Sequence, residues 1–203
     1  MTRETRLERE QILNKVVGVF MTKGYEGTSV KDLVDATGLH PGSLYNAFGS
    51  KQGIFESAIE HFDAISPFNR LLDQADTAPP RDTIRALLDT VVYPHASDTG
   101  PNPDKVAGCL ITYSAAEIGY ADEKLARRLE CSFEKMEDRI CTLIARGQQA
   151  GEFANQRDPR ALARFLLSTV QGIQVMAKVS ADRTKLEVAA TLAFEMLEPV
   201  NTA

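Results

Sequence analysis

Hydrophobic side chains recur at helical spacing along most of the chain, whereas the alternation of polar and apolar residues typical of strands is nearly absent. In the first segment Ile12, Leu13, Val16 and Phe20 fall on one side of a helix. The pattern predicts an all-α fold of about nine helices. We place them at about residues 4–23, 28–37, 41–48, 51–65, 84–92, 105–119, 122–150, 159–179 and 183–198.

Residues that cap or break helices stand at the predicted boundaries. Gly24 follows the first helix in the position expected of a left-handed C-terminal cap, and Gly38 ends the second helix. Either Thr28 or Ser29 caps the second helix at its start. Pro41 starts the third, because a proline lacks the N–H group that the first turn of a helix leaves unpaired. These signals predict a compact head of three helices.

Two later segments are predicted to interrupt the helical pattern. Ser66-Pro67 should bend or interrupt the fourth helix, because a proline ring clashes with the preceding turn. The stretch from Asp98 to Pro103 holds one glycine and two prolines and is the clearest loop in the chain. We therefore divide the chain into a head, residues 1–50, and a helical remainder, residues 51–203.

The charge of the chain is distributed unevenly. The net charge of the 203 residues is −5, but residues 1–51 hold seven Lys and Arg against six Asp and Glu. A slightly basic head is compatible with contacts to phosphate, which need local rather than overall positive charge. The first ten residues are rich in charge and no apolar run is long enough to span a bilayer, so we expect a cytoplasmic protein.

The cysteines indicate neither a disulfide framework nor a metal site. Cys109, Cys131 and Cys141 make an odd number, and no two of them form a Cys-x-x-Cys pair. The three histidines are far apart in the sequence. We expect reduced thiols and neither a metal nor another cofactor.

Residues 28–51 carry the pattern that indicates a function. They predict a helix, a turn containing glycine, a short helix, and the capped start of a long helix. In a helix-turn-helix the first helix crosses the DNA backbone and the second lies in the major groove. Gly42 and Ser43, at the start of the second helix, are small enough to allow a close approach to base edges.

This segment resembles the TetR/AcrR family of bacterial repressors over about residues 10–60. The residues that carry the resemblance are Phe20, Gly24, Tyr25, Gly27, Thr28, Ser29, Val30, Gly38, Gly42, Ser43, Leu44, Tyr45, Phe48, Ser50 and Lys51. The resemblance implies a homodimer that binds palindromic double-stranded operator DNA and responds to a small-molecule inducer. It also implies that residues 1–50 bind DNA and that residues 51–203 bind the ligand and form the dimer.

The resemblance implies roles for residues of the head. Thr28 would cap the second helix and touch a phosphate, and Tyr45 and Lys51 would contact the DNA backbone. Lys31 is a further candidate for DNA contact, with an ordinary solvated lysine as the alternative. The candidates for lying against bases are His40, Pro41, Gly42, Ser43 and Asn46.

The helical remainder suggests a dimer interface and a ligand cavity. Apolar residues cover broad faces over residues 162–176 and 188–197, as expected of helices buried on two sides. Cys109, Tyr113 and Glu117 form one stripe at i, i+4 and i+8, which suggests polar groups facing a cavity. The further candidates for ligand binding are Phe62, Tyr93, Gln171, Gln174 and Lys178.

Cys109 allows two interpretations. The segment Gly108-Cys109-Leu110 is similar to a subset of the family that includes repressors responsive to electrophiles and oxidants, in which a lysine corresponding to Lys178 is also implicated. A neighbouring ammonium would lower the pKa of the thiol and raise its reactivity. The alternative is that Cys109 is a small buried hydrophobic residue.

Two other classes of function compete with a regulator. An enzyme would need a catalytic motif, and the sequence holds no Gly-x-Ser-x-Gly, phosphate-binding loop, His-Glu-x-x-His or dinucleotide fingerprint. We therefore predict that the chain is not an enzyme. The second class is a helical small-molecule-binding or interaction protein that does not bind DNA.

Overall fold

The computed structural model describes residues 3–93, 108–119, 121–180 and 182–198, and for residues 3–6 only the backbone. Within these residues the secondary structure is entirely helical, which confirms the predicted all-α fold. The predicted loop from Asp98 to Pro103 lies outside the described residues. The helices are α1 Arg3–Lys23, α2 Val30–Thr37, α3 Pro41–Phe48, α4 Lys51–Ile65, α5 Pro67–Leu72, α6 Pro80–Val92, α7 Leu110–Ile118, α8 Glu123–Gln149, α9 Pro159–Ala177 and α10 Arg183–Glu195.

The count of about nine helices was one too low, since ten lie in the described part of the chain. Ser66 ends α4, and its N–H donates to the carbonyl of Phe62 at 2.9 Å. Pro67 then starts the short helix α5. A proline disrupts the interior of a helix, but it fits the first turn, where its missing N–H group would be unpaired in any case. A helix was expected over residues 105–119. Within residues 108–119, which the structure describes, it begins at Leu110.

The described residues fall into two compact units. The first takes in those of Met1–Ser66 and His95–Glu130, and the second those of Pro67–Pro94 and Cys131–Ala203. The first unit thus holds α1 to α4, α7 and the start of α8. The predicted boundary at residue 50 lies inside this unit.

In the first unit the helices of the head pack around a small core. Helix α1 lies against α2 and α4, and α3 lies against α2 and α4. Phe20 and Phe55 are fully buried and meet edge to face, with ring centroids 4.9 Å apart. Leu33 of α2 and Leu44 of α3 are also fully buried. Helix α7 packs against α1 and α4, so it belongs to the same core as the head.

In the second unit α6 packs against α5, α9 and α10, and α9 packs against α10. Arg146 of α8 fixes the segment before α6, because its guanidinium donates to the carbonyls of Ala75 and Ala78 at 2.5 and 2.9 Å. None of the helices in the described ranges is long and apolar enough to cross a membrane.

Candidate nucleic-acid interface

Helices α2 and α3 form the predicted helix-turn-helix. Gly38 ends α2 with φ of 76°, a left-handed conformation that a glycine adopts without steric cost, and its N–H donates to the carbonyl of Val34 at 2.8 Å. His40 precedes α3 in an extended conformation, and Pro41 occupies the first turn. Only three residues therefore separate α2 from α3, as the motif requires.

Helix α3 has one buried residue and a broad exposed surface. Leu44 is fully buried and Phe48 is partly buried, so both face the core of the head. At about 100° per residue, Gly42 and Asn46 lie on the side opposite Leu44, and Ser43 lies at the edge of that side, about 100° from Leu44. The residues predicted to meet DNA from this region are all exposed: His40, Pro41, Gly42, Ser43, Tyr45 and Asn46.

The role expected for Thr28 was wrong. The residue that caps α2 is Ser29, whose hydroxyl accepts from the N–H of Asp32, while the carboxylate of Asp32 accepts from the N–H of Ser29 at 2.8 Å. Thr28 is buried, and its hydroxyl donates to the carbonyl of Gly24 at 2.5 Å. The Thr28 hydroxyl therefore ties the end of α1 to the start of α2, and it is not presented to a phosphate.

Two lysines of the head differ in their surroundings. Lys31 is exposed on α2, as a residue that contacts DNA must be. Lys23 instead forms an ion pair with Asp32 at 2.5 Å. Hydrogen bonds from Lys23 and then from Ser29 lower the pKa of the Asp32 carboxyl well below its usual range, so this carboxylate stays ionised. The charge of Lys23 is therefore largely balanced within the head.

Lys51 stands in the first turn of α4, behind the cap Ser50, whose hydroxyl accepts from the N–H of Gly53 at 3.1 Å. The ammonium of Lys51 lies 4.6 Å from the centroid of the Tyr25 ring and donates to the carbonyl of Glu26 at 3.5 Å. Both contacts are weak, and the flexible stem of the lysine can reach outwards. The site combines a helix N-terminus with a cation, which suits a phosphate.

Sequence reasoning missed the part that Glu117 plays in the head. Its carboxylate accepts hydrogen bonds from the backbone N–H groups of Tyr25 at 2.7 Å and Glu26 at 2.8 Å. The stripe of Cys109, Tyr113 and Glu117 along one helix predicts that Glu117 lines a cavity. In the structure its carboxylate instead binds the backbone of the head. The two partners are more than 90 residues away in sequence, so no local pattern indicates them.

Three predicted ligand-binding residues lie in the first unit besides Glu117. Phe62 of α4 is buried, and Tyr113 of α7 is half-buried. Burial, followed by the nearby Cys109, raises the pKa of Tyr113 to about 12, so its hydroxyl stays protonated. Cys109 precedes α7 and is also buried. Burial raises the pKa of its thiol, although hydrogen bonds with Thr112 and Ile111 oppose the shift.

The other predicted ligand-binding residues lie in the second unit. Gln171 and Gln174 are on α9, the first half-buried and the second buried, and Lys178 follows the helix on the surface. Tyr93 follows α6, and its hydroxyl donates to Glu187. Tyr93 lines an open cavity of about 190 Å³ between α6 and α10. This volume is below the usual range for sites that hold drug-sized molecules.

The raised pKa of Cys109 leads to a prediction about thiol reactivity. We expect Ellman's reagent at neutral pH to modify the exposed Cys131 quickly and Cys109 only when the protein unfolds, because the thiolate is the reactive form. Replacing Cys131 by serine should remove the fast phase, and Cys109→Ser should leave it intact. A fast phase that disappears in Cys109→Ser would show that Cys109 is accessible and reactive.

The chain matches two protein families along most of its length. Residues 12–58 match the bacterial regulatory proteins of the tetR family, and residues 81–193 match the tetracyclin repressor-like C-terminal domain. The HTH-type transcriptional regulator YezE of Bacillus subtilis is 29% identical over 188 residues, which cover 92% of this chain and 94% of YezE. The transcriptional repressor DhaR of Mycobacterium sp. strain GP1 is 26% identical, with 94% and 92% covered.

Solved structures share the fold, and some of them contain operator DNA. A cysteine mutant of the TetR family transcriptional regulator CifR, complexed with 26-bp double-strand operator DNA, is 29% identical to this chain. The two superpose with a TM-score of 0.79 over 93% of this chain and 96% of CifR. The regulator from Chloroflexus aurantiacus is 27% identical, with a TM-score of 0.77 and 95% of each chain covered.

Proposed function

Because the chain belongs to the tetR family of bacterial regulatory proteins, we propose that it is a repressor released from its operator by a small-molecule inducer. It is a DNA-binding regulator of transcription, and the competing idea of an interaction protein without DNA binding is set aside. A regulator works where the chromosome is, so we place it in the cytoplasm. We assign it no catalytic activity, and its relatives are named as regulators.

The observation that carries the DNA-binding proposal is the exposed face of α3. Leu44 anchors the helix in the head, and the exposed side presents small or polar groups, with Gly42 and Asn46 opposite Leu44 and Ser43 beside them. A helix of this kind can enter the major groove, where side chains read base edges by hydrogen bonding. Tyr45 and Lys51 at the margins would contact the backbone, with Lys31 on α2 as a further cation.

The exposed apolar residues of the second unit support a homodimer. Val188, Leu192 and Met196 form one stripe along α10, and more than a third of each side chain is exposed. Phe165, Val175 and Met176 are similarly exposed on α9. Stripes of this size on adjacent helices are typical of a two-fold interface between helical subunits. Two heads on one dimer would engage the two halves of a palindromic operator.

We propose that the inducer is held by residues of the helical remainder, among them Phe62, Cys109 and Tyr113 in the first unit. Gln171, Gln174, Lys178 and Tyr93 of the second unit stay predicted ligand contacts. An inducer acts only if it binds the DNA-incompetent state of the dimer more tightly than the competent state. The buried thiol of Cys109, with its raised pKa, favours a noncovalent ligand over the electrophile or oxidant of the Gly-Cys-Leu subset.

The proposal is tested by binding of the purified dimer to the promoter region of its own gene. We expect a protected palindrome, and we expect Lys51→Ala to weaken binding to specific and nonspecific DNA alike. The slope of log affinity against log salt should fall by about 0.9 for each phosphate that the variant no longer neutralises. Lys135→Ala, at an exposed position of α8, is the matched control. If the wild-type protein protects no site, the repressor proposal is wrong. If the wild type binds but Lys51→Ala has the salt slope of the wild type, only the phosphate contact of Lys51 is wrong.

A further inference from the structure

Two charged side chains hold the α1–α2 turn, residues 24–29, from outside the helix-turn-helix. Glu117 of α7 accepts from the N–H groups of Tyr25 and Glu26 at 2.7 and 2.8 Å. Lys51 of α4 donates to the carbonyl of Glu26 and lies over the ring of Tyr25. The Glu117 carboxylate thus binds both N–H donors of this two-residue segment, and the Lys51 ammonium makes a weaker contact with one carbonyl, that of Glu26. The stronger of the two attachments is that of Glu117.

We propose that Glu117 is a positioning residue for operator binding. Its carboxylate fixes Tyr25 and Glu26, and through them the start of α2 and the ammonium of Lys51, without itself touching DNA. The inference rests on the proposed function, since it gives Glu117 a part in binding the operator.

The local structure transmits the position of the turn to α2. The ring of Tyr25 packs against Phe55, with centroids 4.7 Å apart, so the turn is joined to the core of the head. The hydroxyl of Thr28 donates to the carbonyl of Gly24, and the next residue, Ser29, caps α2. A shift of Tyr25 and Glu26 therefore reaches the N-terminus of α2 within four residues.

The chemistry of the contact requires a carboxylate. Two N–H donors converge on one side chain, and a carboxylate offers an acceptor oxygen to each, whereas an amide offers only one. The turn also leaves room for this group. Gly24 has φ of 75°, and a Cβ atom at this position would lie 2.5 and 2.6 Å from the two Glu117 oxygens. Glycine at position 24 thus serves two purposes: it adopts the left-handed conformation of the turn, and it leaves the space that the Glu117 carboxylate occupies.

The location of Glu117 on α7 connects the head to residues proposed for the inducer. Helix α7 starts beside the buried Cys109, and Tyr113 lies midway along it. Eight residues of helix span about 12 Å, so Cys109 and Glu117 stand at opposite ends. Any change that moves α7 along or about its axis also moves the carboxylate that holds the turn.

The test compares Glu117→Gln and Glu117→Ala with Glu130→Gln, which removes the same charge at an exposed position of α8. Affinity for the operator is measured by fluorescence anisotropy with the full-length dimer. Removing a negative charge by itself strengthens binding to phosphates, so Glu130→Gln should bind as well as the wild type or better. We expect Glu117→Gln to weaken binding about tenfold, or about 1.4 kcal/mol, and Glu117→Ala to weaken it further. The salt slope should fall less than in Lys51→Ala, because Glu117 itself touches no phosphate and the Lys51 ammonium is still present.

A double-mutant cycle separates positioning from a general loss of stability. Gly24→Ala places a methyl group against the Glu117 carboxylate, and in the Glu117→Ala background that clash disappears. We therefore expect Gly24→Ala to weaken operator binding more in the wild type than in Glu117→Ala. Two results would overturn the inference: additive effects of the two substitutions, or equal operator affinities of Glu117→Gln and Glu130→Gln. In either case operator binding by the wild type would still support the proposed function. A wild type that binds no operator would instead refute the proposed function.

Discussion

Replacing Leu192 by aspartate is expected to convert the dimer into monomers and to lower operator affinity at least about a hundredfold. Leu192 lies in the middle of the apolar stripe of α10, and its side chain is 57% exposed in the single chain. In a two-fold interface each residue is present twice, so the variant would bring two carboxylates into an apolar surface. Burying an unpaired charge costs far more than the apolar contact of a leucine contributes.

The loss of DNA binding follows from the loss of the dimer. When one head has bound its half-site, the second head is held close to the other half-site at a high effective concentration. A monomer lacks this advantage and binds with the affinity of a single short helix and its neighbours. The effect on DNA therefore arises without any change in α3.

Sedimentation velocity and operator anisotropy on the same samples measure the two effects together. Gln149→Glu, which adds a charge at an exposed position of α8, is the control and should stay dimeric with normal affinity. Because Leu192 is exposed in the single chain, the far-ultraviolet circular dichroism of the variant should show unchanged helix content. A Leu192→Asp protein that remains a dimer would place the interface elsewhere.

The fold could be predicted from local signals because each helix of the head carries its own start and stop. Gly24, Gly38 and Pro41 stand where the structure ends α1, ends α2 and starts α3. These residues act through backbone conformation and hydrogen bonding of their own segment, so no distant contact is needed. The choice of Ser29 over Thr28 as the cap was also visible, since only Ser29 has an acidic residue, Asp32, three positions later.

The site could be predicted only in part, because some of its contacts join distant segments. The exposed face of α3 follows from the position of one buried leucine in a short helix. The contacts of Glu117 with Tyr25 and Glu26 depend on how α7 packs against α1, and helical periodicity does not contain that information. For the same reason the sequence could not decide whether Cys109 has a neighbouring cation or is buried, and the structure buries it. Tertiary packing, rather than local propensity, decides both cases.

Replacing Gly42 by leucine is expected to separate the stability of the head from its affinity for DNA. A Cβ atom at Gly42 meets no atom within 4 Å, so a larger side chain fits the folded protein. Glycine within a helix costs roughly 0.5–1 kcal/mol relative to alanine, so Gly42→Ala should raise the free energy of unfolding by up to about that amount. Gly42→Leu should unfold at a urea concentration at least as high as that which unfolds the wild type.

The same change should damage operator binding, because Gly42 lies on the face of α3 that would approach the bases. Each disturbed base contact costs about 1–3 kcal/mol, and the dimer carries two copies of the change. We therefore expect Gly42→Leu to weaken operator binding at least about thirtyfold, with a smaller loss for Gly42→Ala. Affinity for nonspecific DNA should fall much less, since phosphate contacts supply most of that binding.

Urea unfolding and anisotropy with operator and scrambled DNA measure the three quantities on one set of variants. Ala64→Leu, at an exposed position of α4, is the control for added apolar volume and should bind the operator normally. A fall in both stability and affinity would mean that Gly42 serves the fold. A leucine at position 42 would keep α3 from approaching the bases closely. If Gly42→Leu kept full affinity for the operator, another surface of the head would therefore have to read the bases.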